Sequence, residues 1–123
     1  MNDAIELYNK TSLDCSKIIT KNYSTSFSLG IKSLSSSIHK PIYAIYGFVR
    51  FADEIVDTFH DHDKETIFSV FKKDTEEAIK NKFSTNPILH SFQMVVHKFE
   101  IDKNLIDAFL KSMHMDITKT TYS

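Results

Sequence analysis

PIYAIYGFVRFADEIVDTF, residues 41–59, reads as one helix. Pro41 suits the first helical position, where its missing N–H and fixed φ cost nothing. Apolar residues follow at Ile42, Ile45, Tyr46, Val49, Ala52, Val56 and Phe59, the i, i+3, i+4, i+7 rhythm of a helix. The other faces are apolar too, at Tyr43, Phe48, Phe51 and Ile55, and a helix that is apolar nearly all round is a buried one. Set into it are Arg50, Asp53, Glu54 and Asp57. At ~100° per residue, Tyr46, Arg50, Asp53 and Asp57 share one stripe, while Glu54 lies to its side. Two carboxylates one turn apart repel, and burying them adds a desolvation cost. An internal Arg50–Asp53 or Arg50–Asp57 ion pair is one way to offset this. The other is a divalent cation between Asp53 and Asp57 with a phosphate near Arg50. Mg²⁺ is commonly held by one or two carboxylates plus phosphate oxygens, and a guanidinium matches phosphate geometry with paired donors.

The whole chain bounds what such a helix can belong to. Its 123 residues suffice for one small domain with one core. A hydrophobic content of 41% with 25% charged residues is that of a globular protein, and only two Gly and two Pro disfavour a turn-rich β fold. The expected class is therefore all-α. A net charge of −1 gives no general field for nucleic acid or for an acidic membrane surface. The single cysteine, Cys15, cannot form an internal disulfide and reads as a small buried hydrophobe in a reducing, cytoplasmic setting. MNDAIELYNK carries no basic, then apolar, leader pattern, and no apolar run is long enough to span a bilayer.

Outward from the central helix, five helices are expected in a single unit over residues 1–123. The first runs from about Asp3 to Asn22, with Ile5, Tyr8, Leu13, Ile18 and Ile19 on its apolar face. Tyr23–Gly30, rich in hydroxyl side chains, breaks that pattern and reads as turn and cap, and Ser33–Ser37 reads as a connector. His60-Asp61-His62-Asp63 has metal-binding residue types but poor helical spacing. It reads as a solvated loop, with Asp63 capping a helix over Lys64–Phe83. Asn86 and Pro87 open a helix to about Glu100, with His90 and His97 at its boundary. Asp102 caps a fifth through Leu105, Ile106, Phe109, Leu110, Met113 and Ile117. The last residues, Thr118–Ser123, contain no Gly or Pro to mark a domain end. A central helix needing burial on every side has few partners here, so the chain is expected to be the front part of a larger helical protein.

YAIYGFVRFADEIVD, Tyr43–Asp57, resembles the first aspartate-rich segment of the squalene/phytoene synthase family. STSFSLG, Ser24–Gly30, is similar to that family's Ser-Phe segment, and Phe109–Tyr122, with Met115-Asp116, to the helix that follows. Within the family the wording is closest to bacterial phytoene synthases. The resemblance implies the all-α isoprenoid-synthase fold and a Mg²⁺-dependent head-to-head condensation of two prenyl diphosphates. For phytoene synthases the substrate is geranylgeranyl diphosphate, joined through a cyclopropyl diphosphate intermediate. Carried over by position, Asp53 and Asp57 would ligate Mg²⁺, and Arg50 would contact diphosphate or order the carboxylates. Tyr46 would face the reaction centre, Ser26 and Phe27 would belong to a flap, and Tyr23 would stand near diphosphate. The greasy substrate and product imply peripheral membrane contact, and apolar surface left exposed on a partial chain would allow dimers.

Two departures stand out. Glu54 replaces a second Asp and is expected to be auxiliary. The second aspartate-rich helix of the family has no counterpart after Asp57, so the isolated chain is expected to be inactive. Two other readings remain: a non-catalytic helical module or split-enzyme subunit completed by a partner, and a squalene, dehydrosqualene or other isoprenoid synthase. Ser24–Gly30 and the Arg50 placement argue against terpene cyclases and chain-elongating transferases.

Overall fold

The computed structural model describes residues 3–122, with side chains up to residue 117. The reading of the Thr118–Ser123 tail and of the first two residues lies outside the described residues. The described residues form six α-helices, not five: α1 (Asp3–Tyr23), α2 (Thr25–Lys32), α3 (His39–Asp57), α4 (Lys64–Asn81), α5 (Pro87–Lys98) and α6 (Lys103–Tyr122). No strand occurs among the described residues. The extra helix is the segment read as a turn. The Ser24 side chain accepts the Phe27 N–H at 3.1 Å, so the hydroxyl run starts a helix instead of merely interrupting one. The connector Ser33–Ser37 runs into a 3₁₀ turn over Ser36–Ile38, and α3 begins at His39, which places Pro41 third in the helix. Pro41 is still within the first turn, where no N–H partner is needed.

The other caps behave as their residue types suggest. Asp63 accepts the Thr66 N–H at 3.2 Å, Asn86 those of Ile88 and Leu89, and Asp102 that of Asn104 at 2.8 Å. The helices α4 and α5 stop short of Phe83 and Glu100, because Lys82 and Glu100 take positive φ of 56° and 51°. Phe83 N–H then reaches Ala78 O, and Ile101 N–H reaches Val96 O. These are the backward bonds that close a helix through a left-handed residue.

Helix α3 packs against every other helix. Its face carrying Phe48, Ala52, Ile55 and Val56 joins Phe68, Phe71, Leu89, Phe92, Val96, Leu110 and Ile117 from α4, α5 and α6 in one apolar core. Phe48 stacks on Phe92 with centroids 3.8 Å apart and planes 3° from parallel. Helix α1 contributes nothing to that cluster. Its apolar residues Ile5, Leu7 and Ile18 are exposed, and Ser12, Ser16 and Thr20 are fully buried. The expected apolar face of α1 is therefore not its buried face. The reason is distance: a Cβ on Gly47 of α3 would lie 3.0 Å from Ser16, so the two helices meet closely enough to admit only small residues. Two of the three buried hydroxyls have partners: Ser16 Oγ meets Ser91 Oγ of α5 at 2.7 Å, and Thr20 Oγ1 donates to Ser16 O within α1 at 2.9 Å, whereas Ser12 Oγ has none among the described residues.

Two smaller expectations also change. Cys15 is only partly buried. His90 is buried, not at a boundary, between Asn9 of α1 and the Ser84 N–H. His97 is exposed and bonded to Ile79 O.

Candidate functional site

The stripe read from the sequence is present on the outer side of α3. Arg50 lies one turn before Asp53, with Nη1 to Asp53 Oδ2 at 3.8 Å, and its Nη2 donates to Glu54 Oε2 at 3.1 Å. Glu54, expected to be auxiliary, is thus the principal partner of Arg50, and no Arg50–Asp57 pair occurs among the described residues.

Glu54 gathers more than Arg50. The Thr58 hydroxyl donates to Oε1, and the Tyr23 phenol stands near enough to the same carboxylate to lower its pKa. Arg50 Cζ lies 4.8 Å from the centroid of the Tyr23 ring, within cation–π range. The end of α1 is therefore tied to the middle of α3 through Tyr23, Arg50, Glu54 and Thr58. Phe27 of α2 stacks on Tyr46 of α3 with centroids 4.8 Å apart, so α2 lies along the same stripe. Ser26 is exposed and is brought to none of these groups by any contact seen among the described residues.

The charges are set unequally. Hydrogen bonding from Thr58 holds the Glu54 carboxyl below its ordinary value, against partial burial, with help from Tyr23 and Arg50. The Glu54 bond raises the Tyr23 phenol above its ordinary value. Partial burial works against the charge on Arg50, but Glu54, Asp53 and Tyr46 more than offset it, so Arg50 holds its proton more tightly than a free guanidinium. Asp53 goes the other way. Burial first, then the charges of Asp57, Asp116 and Glu54, push its carboxyl above the ordinary value, although Arg50 opposes the shift. Asp57 is exposed at the last position of α3. Asp116, on α6, enters the field of Asp53 across the helix pair. Only the packing of α6 on α3 brings it near Asp53.

This unbalanced negative charge on hard oxygen donors fits a divalent cation seated on Asp53 and Asp57. No group of three His, Cys, Asp or Glu side chains converges as a metal site among the described residues. Two carboxylates are nevertheless sufficient where a phosphate completes the shell. The His60–Asp63 loop is exposed and Asp63 is engaged as a cap. An apolar hollow of about 330 Å³ opens between α3 and α4, lined by Phe51, Ile55, Phe59, Ile67, Val70 and Phe71. Arg50, Asp53 and Asp57 do not line it, so it lies off the charged stripe.

A protein-family model described as squalene/phytoene synthase matches residues 20–123. The match begins at the end of α1 and takes in the whole stripe. No curated protein and no solved structure matches the chain.

Proposed function

Because the chain belongs to the squalene/phytoene synthase family, a family of prenyltransferases that join isoprenoid units head to head, we propose that α3 holds the diphosphate head of a prenyl substrate in phytoene synthesis. The substrate is geranylgeranyl diphosphate, two molecules of which condense through a cyclopropyl diphosphate. The observation that carries the reading is the stripe itself, where a cation fixed by Glu54 stands one turn from a carboxylate that its looser 3.8 Å contact with Arg50 only partly compensates. Asp53 and Asp57 would hold Mg²⁺, whose positive charge assists the departure of diphosphate. Arg50, oriented by Glu54 and backed by the Tyr23 ring, supplies a fixed pair of donors toward the same oxygens. Tyr46 and Phe27 cover the stripe with stacked rings and exclude water from the allylic carbon.

The described residues carry one acidic stripe and not two facing ones, so the isolated chain binds substrate without turning it over. Calorimetric titration of the 123-residue chain with geranylgeranyl diphosphate tests this. Binding is expected with Mg²⁺ and not with EDTA, and it is expected to be lost in Asp53→Asn/Asp57→Asn. Extraction of the mixture is expected to yield no phytoene until a polypeptide bearing a second acidic helix is added. Metal-independent binding that ignores both aspartates would sink the reading, and squalene-type product from a shorter diphosphate would overturn the assignment to phytoene.

A further inference from the structure

At the opposite end of α3 from the acidic stripe lies a second charged feature that the prenyl-transfer reading does not use. Helix α1, the end of α2 and the first turn of α3 enclose a hollow of about 240 Å³, lined by Lys17, Lys32, Ser36, His39, Lys40 and Tyr43 among others. Lys40 and Asp53 are thirteen residues apart on α3, about 20 Å along the axis at 1.5 Å per residue. The one carboxylate at its rim, Asp14, is already paired with Lys10 at 3.1 Å. Among the described residues no carboxylate pairs with Lys17, Lys32 or Lys40. Three lysines thus line the hollow without a paired carboxylate, on a chain whose net charge is −1. Lys17 is held at the hollow by the Tyr43 ring, 5.7 Å from its centroid, and His39 by a bond to Leu34 O at 2.8 Å. The hollow shares Leu13, Ser36 and Lys40 with an adjoining one of about 310 Å³ that runs over Pro41, Met94 and Val95. Along the α2–α3 connection, Leu34 and Ile38 are exposed.

Cationic head groups round a cavity, an apolar floor beside it and exposed aliphatic side chains on its rim are complementary to one kind of ligand. It has a phosphate head and a hydrocarbon body. We infer that this hollow seats the phosphate of an anionic membrane phospholipid, with Leu34 and Ile38 entering the lipid interface, so that the molecule rests on a bilayer by this end. Lysines near an anionic surface attract it additively, and the attraction is screened by salt. The inference does not depend on the reaction at α3, because neither the metal nor Arg50 takes part.

Vesicle flotation of the full chain in EDTA tests it. Binding is expected to mixed phosphatidylcholine–phosphatidylglycerol vesicles, to weaken with salt, and to be absent with phosphatidylcholine alone. Lys17→Gln/Lys32→Gln/Lys40→Gln is expected to lose roughly a hundredfold in affinity, the sum for three lysines at an anionic surface. The control Lys72→Gln/Lys73→Gln/Lys80→Gln removes the same charge from exposed positions of α4 and is expected to bind like the parent. Equal loss in both triple variants would reduce the effect to general electrostatics and overturn the site. Should the first triple variant melt early, Lys32→Gln alone, on an exposed side chain, is expected to show a several-fold loss, and no change there would overturn the site. A parallel titration with geranyl diphosphate separates a lipid from a free phosphate ester. Tight binding of that ester, lost in the same triple variant, together with no vesicle binding would overturn the lipid assignment.

Discussion

Asp53 and Glu54 are adjacent carboxylates that the fold treats with opposite sign. The carboxyl of Asp53 is raised, chiefly by burial and then by Asp57, Asp116 and Glu54. Its ionised form is therefore less favourable folded than unfolded. That penalty is present in full above the raised folded pKa and vanishes as pH falls below the unfolded value. Asp53→Asn is expected to raise stability at neutral pH by ~0.5 kcal/mol after solvent screening, and the gain should fade in acid. Glu54 is lowered by Thr58, Tyr23 and Arg50, so its contribution is present above the unfolded value and is lost as pH falls through the folded one. Glu54→Gln is expected to cost about 1 kcal/mol at neutral pH. Thermal melts of both variants from neutral pH into acid check the pair. A large destabilisation by Asp53→Asn would mean that its Arg50 contact outweighs the crowding. Added Mg²⁺ should raise the melting temperature of the parent, and not of Asp53→Asn/Asp57→Asn, by the mass action of binding to the folded state alone.

Among the elements, α1 departs most from its sequence pattern. Ile5, Leu7 and Ile18 are exposed, whereas Ser12, Ser16 and Thr20 are buried, and Ser16 meets Gly47 of α3 at the seam. A methyl group on Gly47 would meet Ser16 Cβ and Oγ at 3.0 Å and its Cα at 3.1 Å, and the last of these is backbone that cannot rotate away. Gly47→Ala is expected to cost about 1–3 kcal/mol through overpacking, despite the better helix propensity of Ala. Combining it with Ser16→Gly should recover part of the loss, because the contacting Cβ and Oγ are removed together. Strict additivity of the two changes in urea melts would rule out the close approach as the cause.

At the scale of the whole molecule, α1 is fastened to the apolar core by polar clasps. Ser84 N–H donates to His90 Nδ1 at 3.2 Å, so Nε2 carries the proton and donates to Asn9 Oδ1 at 2.7 Å. The Tyr8 hydroxyl donates to Ser84 O at 2.6 Å, and its ring lies 4.6 Å from that of His90. Burial holds the imidazole below its ordinary value, so the clasp requires neutral His90. A depressed pKa contributes stability above the unfolded value and loses it as pH falls through the folded one. Parent and His90→Gln are therefore expected to differ by about 1–2 kcal/mol at neutral pH and to converge as the solution is acidified through the histidine range. Amide exchange along α1 should accelerate over the same interval in the parent. Parallel pH curves for the two proteins would remove His90 from the clasp.

The sequence by itself determined the all-α class, the caps at Asp63, Asn86 and Asp102, and the central helix with its charged stripe. These follow from local chemistry: side-chain oxygens meet N–H groups two or three residues on, and a 3.6-residue period fixes which residues share a face. The resemblance of Tyr43–Asp57 and Ser24–Gly30 to one family was legible in the same way, and the family match over residues 20–123 agrees with it. Tertiary structure decided the rest. Periodicity reports where apolar residues lie on α1, but helix separation selects which face is buried, and at Gly47 that separation admits only small hydroxyl side chains. Tyr23, at the end of α1, comes to lie beside Arg50 and Glu54 only through the packing of α1 on α3. Asp116 meets the field of Asp53, and His90 meets Asn9, across sequence gaps that only the packing of helices closes.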